Sequence, residues 1–192
     1  MTASANAAQL AAIGRLHAVL VEGGVEHWFF GGWAVDLHLG STSREHADVD
    51  IAVWVDDRVL VETLLVEAGW RHTPDPEEDG YTAYQRGAVR VEAAFLERDS
   101  DGSVYTPLAV GRGTWRTGSF GDEQGEIDGV KVPVVSREAL LQDKTGPRAD
   151  PVSEAKDRAD VALLSAARSP VQAGVGGSIV GPGGTPCASR RS

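Results

Sequence analysis

The sequence has almost no cysteine and no long apolar segment. Its single cysteine, Cys187, excludes an internal disulfide and any cysteine-rich metal site. No apolar run approaches the roughly 20 residues that are needed to span a bilayer. Met1–Leu10 carries neither the basic region nor the apolar core of a signal peptide. Together these absences predict a cytoplasmic protein with no membrane partner.

Basic residues are also scarce relative to acidic ones. The 192 residues include 18 Lys and Arg against 28 Asp and Glu, which gives a formal net charge of −10. Because a protein that binds duplex nucleic acid normally presents a basic surface, the composition argues against such a partner. It leaves open a bound nucleotide, whose charge a metal ion can offset, and a cationic partner. Solubility alone is the simplest interpretation of the acidic surplus.

The length suits a single domain that can bury a core without covalent staples. The segment Ser169–Ser192 is rich in glycine and proline, has no acidic residue, and is predicted to be a flexible tail. We therefore expect a main domain over residues 1–135, two C-terminal helices packed on it over residues 136–168, and the tail over residues 169–192.

Helical and strand periods alternate along the rest of the chain. Apolar residues at helical spacing predict helices, and strict alternation of apolar and polar residues predicts strands. The predicted helices cover residues 5–22, 33–39, 136–144 and 153–168. A further helix is predicted to be capped by Asp56 or Asp57 and to have an apolar stripe of Val59, Leu60, Leu64 and Leu65. The predicted strands cover residues 27–30, 49–55, 81–86, 89–96 and both sides of a turn at Asp128-Gly129. This order indicates an α+β or mixed α/β domain.

Two acidic residues lie on one face of a predicted strand. Asp48 and Asp50 are two residues apart, so their side chains point the same way while Val49 points to the opposite face. Adjacent carboxylates repel unless a cation lies between them, and Mg²⁺ prefers such oxygen ligands. Glu92, in another alternating strand, can complete a cluster of three acids for one or two metals if the two strands are neighbours. The alternative is a solvated strand face with exposed acids.

A glycine pair precedes these acids. Gly31 and Gly32 follow a short apolar strand and open a helix. Glycine lets backbone N–H groups approach a phosphate closely, and the N-terminus of a helix favours negative charge. A lone glycine pair is most often only a turn, but its place upstream of Asp48 and Asp50 favours a phosphate site.

The run Gly31-Gly32-Trp33-Ala34-Val35-Asp36, followed by Arg44-x-His46-x-Asp48-x-Asp50-Ile51, resembles the nucleotidyltransferase superfamily related to DNA polymerase β. It is most similar to the antibiotic-modifying branch, which includes aminoglycoside 2″-adenylyltransferases and lincosamide nucleotidyltransferases. The resemblance is strongest over residues 10–96 and continues through Lys144 and Lys156-Asp157-x-x-Asp160. It implies an α+β nucleotidyltransferase fold, with a mixed sheet flanked by helices and a short C-terminal helical part.

The resemblance implies Mg²⁺-dependent transfer of a nucleoside monophosphate from a nucleoside triphosphate, ATP being favoured, to a hydroxyl of a small molecule. An aminoglycoside or a lincosamide is the candidate acceptor. The implied metal ligands and catalytic residues are Asp48, Asp50 and Glu92, with Glu92 either a ligand or the base that takes the acceptor proton. The implied nucleotide-binding residues are Gly31, Gly32, Arg44 and Lys144.

Several neighbouring residues have structural and functional interpretations. Core packing is favoured for Trp33, which replaces the serine that many superfamily members have there, and a structural role is favoured for Asp36. Function and structure are equally balanced for His46, and Trp54 is expected to line the floor of the pocket. The acids within residues 75–79 are expected to form a solvated loop, or to attract a cationic acceptor if they border the cleft.

Two other functions compete with the small-molecule enzyme. Compact domains of this kind also occur in toxin–antitoxin modules, where they modify or bind a protein or RNA. A degenerate nucleotide-binding domain is disfavoured because Asp48, Asp50 and Glu92 are all retained. Because a domain this small often completes its acceptor site with a second subunit, a homodimer is one expectation.

Overall fold

The computed structural model describes residues 2–74, 80–147 and 150–167, and for residues 2–4 only the backbone. The predicted tail over residues 169–192 and the acidic loop over residues 75–79 lie outside the described residues. The division of the chain at residue 135 stays a prediction.

The order of elements is that of an α+β protein, as the sequence predicts. The helices are α1 Thr2–Glu22, α2 Gly31–Leu39, α3 Arg58–Glu67, α4 Arg137–Lys144 and α5 Pro151–Ala166, and a 3₁₀ turn spans Val55–Asp57. The strands are β1 His27–Phe30, β2 Val49–Trp54, β3 Arg71–His72, β4 Tyr81–Arg86, β5 Val89–Arg98, β6 Val104–Pro107, β7 Arg112–Thr114, β8 Gln124–Ile127 and β9 Val130–Pro133.

One mixed sheet carries the fold. Its strands follow the order β1-β2-β5-β4-β3, and β6 joins the end of β5 and pairs with β7. The pairing of β2 with β5 is parallel, whereas the other pairs in this sheet are antiparallel. Strands β8 and β9 form a separate hairpin at the predicted Asp128-Gly129 turn. The register of β2 and β5 sets Asp50 beside Glu92.

The core lies between the sheet and the helices. Helix α1 buries Ile13, Leu16 and Leu20 completely, and the apolar residues of β2 and β5, such as Ile51 and Val91, are equally buried. Burial of such side chains is worth roughly 1.5–3 kcal/mol each, so the packing of α1 and of these strands in the core contributes strongly to the stability of the domain.

The structure corrects the predicted orientation of α3. The sequence suggested an apolar stripe that included Val59 and Leu60, but these residues are 77% and 41% exposed. Leu65 of the predicted stripe is buried, and so is Val61, which the prediction did not include. The helix begins at Arg58, after the 3₁₀ turn, and Asp57 precedes it without a side-chain capping bond.

Other differences lie at the ends of elements. Helix α2 already begins at Gly31, because glycine tolerates the positive φ of +67° at that position. Helix α5 begins at Pro151 rather than Ser153, and Asp150 caps it by accepting from the N–H groups of Val152 and Ser153. Strands β3, β6 and β7 were not predicted, because they are short and lack an alternating apolar pattern.

Two histidines form a pair between α1 and β1. His27 is 4% exposed, and its Nδ1–H donates to the carbonyl of Val25 at 2.9 Å. Its Nε2 is therefore the acceptor for Nδ1–H of His17, also at 2.9 Å. Burial lowers the pKa of both imidazoles, and for His27 the repulsion by His17 adds to this effect. The folded protein thus favours the neutral pair.

We expect this pair to weaken the fold in mild acid. Because folding lowers the pKa of each imidazole below its usual 6.5, the unfolded chain binds these protons more readily. The free energy of unfolding contributed by each histidine is complete above that value and falls by up to about 1.4 kcal/mol per pH unit below it. Urea unfolding of wild type and His27→Gln between pH 5 and 7.5 should give a steeper acid loss for wild type. Equal pH dependence of the two proteins would contradict this expectation.

Candidate active site

The pairing of β2 with β5 brings the three predicted acids together. Asp50 lies in β2 directly beside Glu92 of β5, and Asp48 lies two residues before Asp50 on the same side. The strands are thus neighbours, which was the condition for Glu92 to join the pair.

The acids strongly influence one another. Burial, followed by the charges of Asp48 and Glu92, raises the pKa of Asp50 to about 8, although Lys144 and Arg44 oppose the shift. Burial and the charge of Glu92 also raise the pKa of Asp48. A carboxyl group with such a pKa lies where negative charge is poorly stabilised. A divalent cation bound to these oxygens would remove that penalty.

The carboxylate of Glu92 is turned toward a neighbour on its own strand. Its Oε1 accepts from Nε and Nη2 of Arg90, both at 2.8 Å. Over residues 2–74, 80–147 and 150–167, no group of three or more His, Cys, Asp or Glu side chains is arranged to hold a metal ion. The oxygen donors of Asp48 and Asp50 suit Mg²⁺ chemically, and Glu92 would join them only after leaving Arg90.

The two predicted glycines each allow a different side chain to lie close to the backbone at the start of α2. A Cβ atom on Gly31 would lie 2.0 Å from Oδ2 of Asp50. A Cβ atom on Gly32 would lie 2.6 Å from Nη2 of Arg44 and 2.6 Å from Nδ1 of His46. Phe30 precedes the helix and provides no side-chain cap. The glycine pair therefore places an uncapped helix N-terminus between an acid and a guanidinium group.

Arg44 and Lys144, the two predicted phosphate-binding cations, are both paired with α5. Nε and Nη2 of Arg44 donate to the carboxylate oxygens of Asp160 at 3.2 and 3.1 Å. Nζ of Lys144 lies 2.8 Å from Oδ2 of Asp160 and donates to Asp157 at 2.9 Å. Burial acts to raise the pKa of Asp160, but the hydrogen bonds from Arg44 and Lys144 outweigh it and lower that pKa.

Between a place on the helix surface and a contact between helices, the two roles that the sequence allows for Asp157 and Asp160, the structure shows the contact, because both pair with Lys144 of α4. The motif around them was visible in the sequence, but their partner Lys144 was not assigned, because nothing local connects the end of α4 with α5. Their burial, at 8% and 1% exposure, marks them as structural as well as electrostatic partners.

Asp36 has the structural role that the sequence favoured. It is fully buried, accepts the backbone N–H of Ser43 at 3.0 Å, and lies 2.6 Å from Nε2 of His46. Since Arg44 can only donate, Nδ1 of His46 accepts from its Nη1 at 3.1 Å, so the proton lies on Nε2 and points to Asp36. His46 therefore links Asp36 to Arg44.

The structure confirms the predicted position of Trp33 but not that of Trp54. Trp33 is 1% exposed and donates to Gln9 at 2.9 Å, which confirms core packing. Trp54 does not line the floor of the acid site. It is four residues beyond Asp50 in β2, roughly 13 Å along an extended strand, and it packs edge-on against Trp28 and donates to Glu26.

A cavity of about 410 Å³ opens beside the start of α2. Its wall includes Phe30 and Gly31 on one side, Lys144 on another, and Trp115 just after β7. Phe30 and Trp115 meet edge to face, with ring centroids 5.2 Å apart. Trp115 was not predicted as a site residue, because β7 and its neighbours lack an alternating or helical pattern of apolar residues. The cavity places an aromatic wall next to the glycine pair and the buried lysine.

The comparisons with known proteins agree with this architecture. The family model described as aminoglycoside-2''-adenylyltransferase matches residues 12–164. None of the curated proteins matches the chain.

Solved structures share the fold. The lincosamide antibiotic adenylyltransferase LnuA, with lincomycin bound, is 21% identical with a TM-score of 0.61, over 78% of this chain and 91% of that chain. ANT(2'')-Ia in complex with adenylyl-2''-tobramycin is 21% identical with a TM-score of 0.64, over 82% of this chain and 87% of that chain. The solution structure of ANT(2'')-Ia is 23% identical with a TM-score of 0.65, over 85% and 84% of the two chains. These neighbours confirm the expected nucleotidyltransferase fold.

Replacement of Gly31 by alanine tests the close approach to Asp50. We expect Gly31→Ala to lower the free energy of unfolding by about 3 kcal/mol, because the Cβ atom adds a clash to the strain of a positive φ. Gly87→Ala is the matched control, since Gly87 has a similar φ of +59° and open space around it. It should lose only about 1–2 kcal/mol from strain. Denaturant unfolding gives both values, and equal losses would argue against the close approach.

Proposed function

We propose that this chain, which belongs to the aminoglycoside-2''-adenylyltransferase family, transfers a nucleoside monophosphate from a nucleoside triphosphate, with ATP favoured, to a hydroxyl of a small molecule. Its family consists of nucleotidyltransferases, so the chain is an enzyme of that class. The observation that carries the proposal is the position of Asp50. This half-buried acid has a pKa near 8 and lies between Asp48, Glu92 and the glycine that opens α2.

Asp48 and Asp50 would hold Mg²⁺. When bound, the ion would offset the charge of the acids and of the triphosphate, and stabilise the charge that develops on the reacting phosphate. The donor set supports this assignment, because both side chains offer only oxygen and their pKa values are raised by burial and, after it, by repulsion between the acids. Glu92 would act as a third ligand or as the base, after exchanging its contact with Arg90.

The phosphates would lie at the start of α2. Gly31 and Gly32 leave room for a close approach to the backbone, and the uncapped N-terminus favours an anion. Arg44 and Lys144 would offset phosphate charge from the side of α5. The acceptor oxygen would attack the α-phosphorus, pyrophosphate would leave, and Glu92 would accept the hydroxyl proton if it serves as the base.

The acceptor would be an aminoglycoside or a lincosamide. ANT(2'')-Ia was solved with adenylyl-2''-tobramycin and LnuA with lincomycin, and both share the fold of this chain. The formal charge of −10 suits a cationic aminoglycoside, and the cavity lined by Phe30 and Trp115 is next to the phosphate site. A homodimer, which the small size of the chain led us to expect, stays a prediction.

A screen for pyrophosphate release tests the proposal. ATP and GTP, each with Mg²⁺, would be combined with a panel of aminoglycosides and lincosamides. We expect release with at least one combination, and a loss of at least a thousandfold in kcat for Asp50→Asn. Asp56→Asn, an exposed acid beyond the end of β2, is the control and should behave as wild type.

Two outcomes would redirect the assignment. Nucleotide binding without release across the panel would favour the alternative in which the domain modifies or binds a protein or RNA. Release that survives Asp50→Asn would remove the acid pair from the chemistry.

The same substitution should stabilise the protein when no divalent cation is present. Because Asp50 is partly buried beside two like charges, a neutral side chain removes repulsion that the folded state must otherwise relieve by binding a proton. We expect Asp50→Asn to gain about 2 kcal/mol at neutral pH in EDTA, or roughly 4–8 °C in Tm for a chain of this size. Mg²⁺ should raise the Tm of wild type and leave that of the variant unchanged. A wild type that ignores Mg²⁺ with and without ATP would contradict the metal assignment.

A further inference from the structure

One buried carboxylate receives both cations that face the acid site. Asp160 is 1% exposed and takes two hydrogen bonds from Arg44 and one close contact from Lys144. These partners lie in different parts of the chain, Arg44 in the segment after α2 and Lys144 at the end of α4. Asp160 is therefore the point at which three separate segments meet.

The guanidinium group of Arg44 has a fixed direction. Asp160 binds it on the Nε and Nη2 edge, and Nη1 donates to Nδ1 of His46 and to the carbonyl of Glu45, both at 3.1 Å. Its Nη2 also lies against Gly32, where a Cβ atom would come within 2.6 Å. An arginine has five N–H groups, so Nη2 keeps one N–H for a ligand. That N–H is beside the first turn of α2.

Lys144 is held in a comparable way. It is 9% exposed, and its Nζ uses two of its three N–H groups on Asp157 and Asp160. Lys144 also lines the cavity that opens beside Gly31. Both cations act on Asp50, because the charge of each lowers its pKa. The third N–H of Lys144 and the remaining N–H of Arg44 thus both lie beside the start of α2.

We propose that Asp160 is a positioning residue, which holds Arg44 and Lys144 in the orientation that binds the triphosphate, so that α5 belongs to the phosphate site although it does not touch the phosphates. This inference rests on the proposed function. A buried carboxylate restrains two flexible side chains before the ligand arrives, so less conformational entropy is lost on binding.

Simple electrostatics predicts the opposite change in triphosphate affinity when the charge of Asp160 is removed, which makes the proposal testable. Asp160 and Asp157 each place a negative charge beside Lys144. If these acids only weakened the cations, removal of either charge would tighten triphosphate binding. If Asp160 positions the cations, Asp160→Asn weakens binding although it removes a repulsive charge.

Asp157→Asn is the matched control. Asp157 lies one turn before Asp160 on α5, is also buried, and contacts the same lysine. The contacts of Arg44 to α5 are made with Asp160. Both substitutions therefore change one charge in the same helix, and Asp160→Asn removes the carboxylate that accepts the two hydrogen bonds of Arg44.

The test measures binding of ATP, of a non-hydrolysable ATP analogue and of inorganic tripolyphosphate, each in the presence of Mg²⁺, to the full chain by calorimetry. We expect Asp160→Asn to raise the Kd of each probe about tenfold, which corresponds to 1.4 kcal/mol. Asp157→Asn should change each Kd by less than about threefold. An equal or lower Kd for Asp160→Asn would overturn the proposal.

Steady-state kinetics adds a result that a loss of folded protein cannot imitate. We expect Asp160→Asn to raise KM for the nucleotide about tenfold and to leave KM for the acceptor unchanged. A purely structural role would lower the active fraction, so that the apparent kcat falls and both KM values stay the same. That pattern would also overturn the proposal.

A double-mutant cycle keeps the proposal falsifiable if Asp160→Asn fails to fold. Because Arg44 and Lys144 share one carboxylate, the losses of tripolyphosphate affinity in Arg44→Gln and Lys144→Gln should not multiply in the double variant, with a deviation of at least threefold. Simple multiplication of the two losses would overturn the proposal. A wild type that binds neither ATP, GTP nor tripolyphosphate would overturn the proposed function together with this inference, whereas normal wild-type binding that Asp160→Asn leaves intact would overturn the inference alone.

Discussion

The parallel pairing of β2 with β5 is the constraint on which the site depends. It joins two strands that are about 40 residues apart in the sequence, and its register alone decides that Asp50 lies beside Glu92. A slip by one residue would turn Glu92 to the opposite face of the sheet. The fully buried apolar residues next to these acids in the two strands, such as Ile51 and Val91, resist such a slip, because it would expose them. Packing of the core therefore holds together charges that repel one another.

The close approach of α2 to the sheet follows from the same pairing. Antiparallel contact of β1 with β2 sets Phe30 opposite Asp50, so the chain enters α2 directly over that carboxylate. Only a residue without Cβ and with a positive φ fits there, and Gly31 provides both properties. The second glycine then makes room for Arg44 and His46. The carboxylate of Asp50 and the guanidinium group of Arg44 thus both lie against the first turn of α2, one at Gly31 and the other at Gly32.

Local chemistry was predictable from the sequence, whereas distant partners were not. The alternation around Asp50 and the glycine pair gave the strand, the helix and the face on which the acids lie, since each is set by residues next to one another in the chain. The partner of Arg44 is 116 residues away, and no spacing rule connects it to Asp160. The contact of Glu92 with Arg90 was missed for a different reason. Side chains that are two residues apart on one face of a strand can touch, but this spacing does not require that they do. Trp115 was missed because it follows β7, a strand that is short and polar.

The charged residues of the site form two groups, one with no net charge and one with an excess of negative charge. Arg44, Lys144, Asp157 and Asp160 form two cations and two anions that neutralise one another, so this group has no net charge with which to attract a triphosphate. Among the described residues, the ion pair of Glu92 with Arg90 is the one that the three acids make, and burial together with their mutual repulsion raises the pKa of Asp50 to about 8. On the proposed function, a bare triphosphate would therefore meet repulsion at the acids and little attraction elsewhere. A triphosphate that brings a divalent cation meets the opposite situation: the cation relieves the acids, and the phosphates then need only hydrogen bonds that are already oriented. Helix α5 can therefore contribute the orientation of Arg44 and Lys144 to the site, rather than a net positive charge.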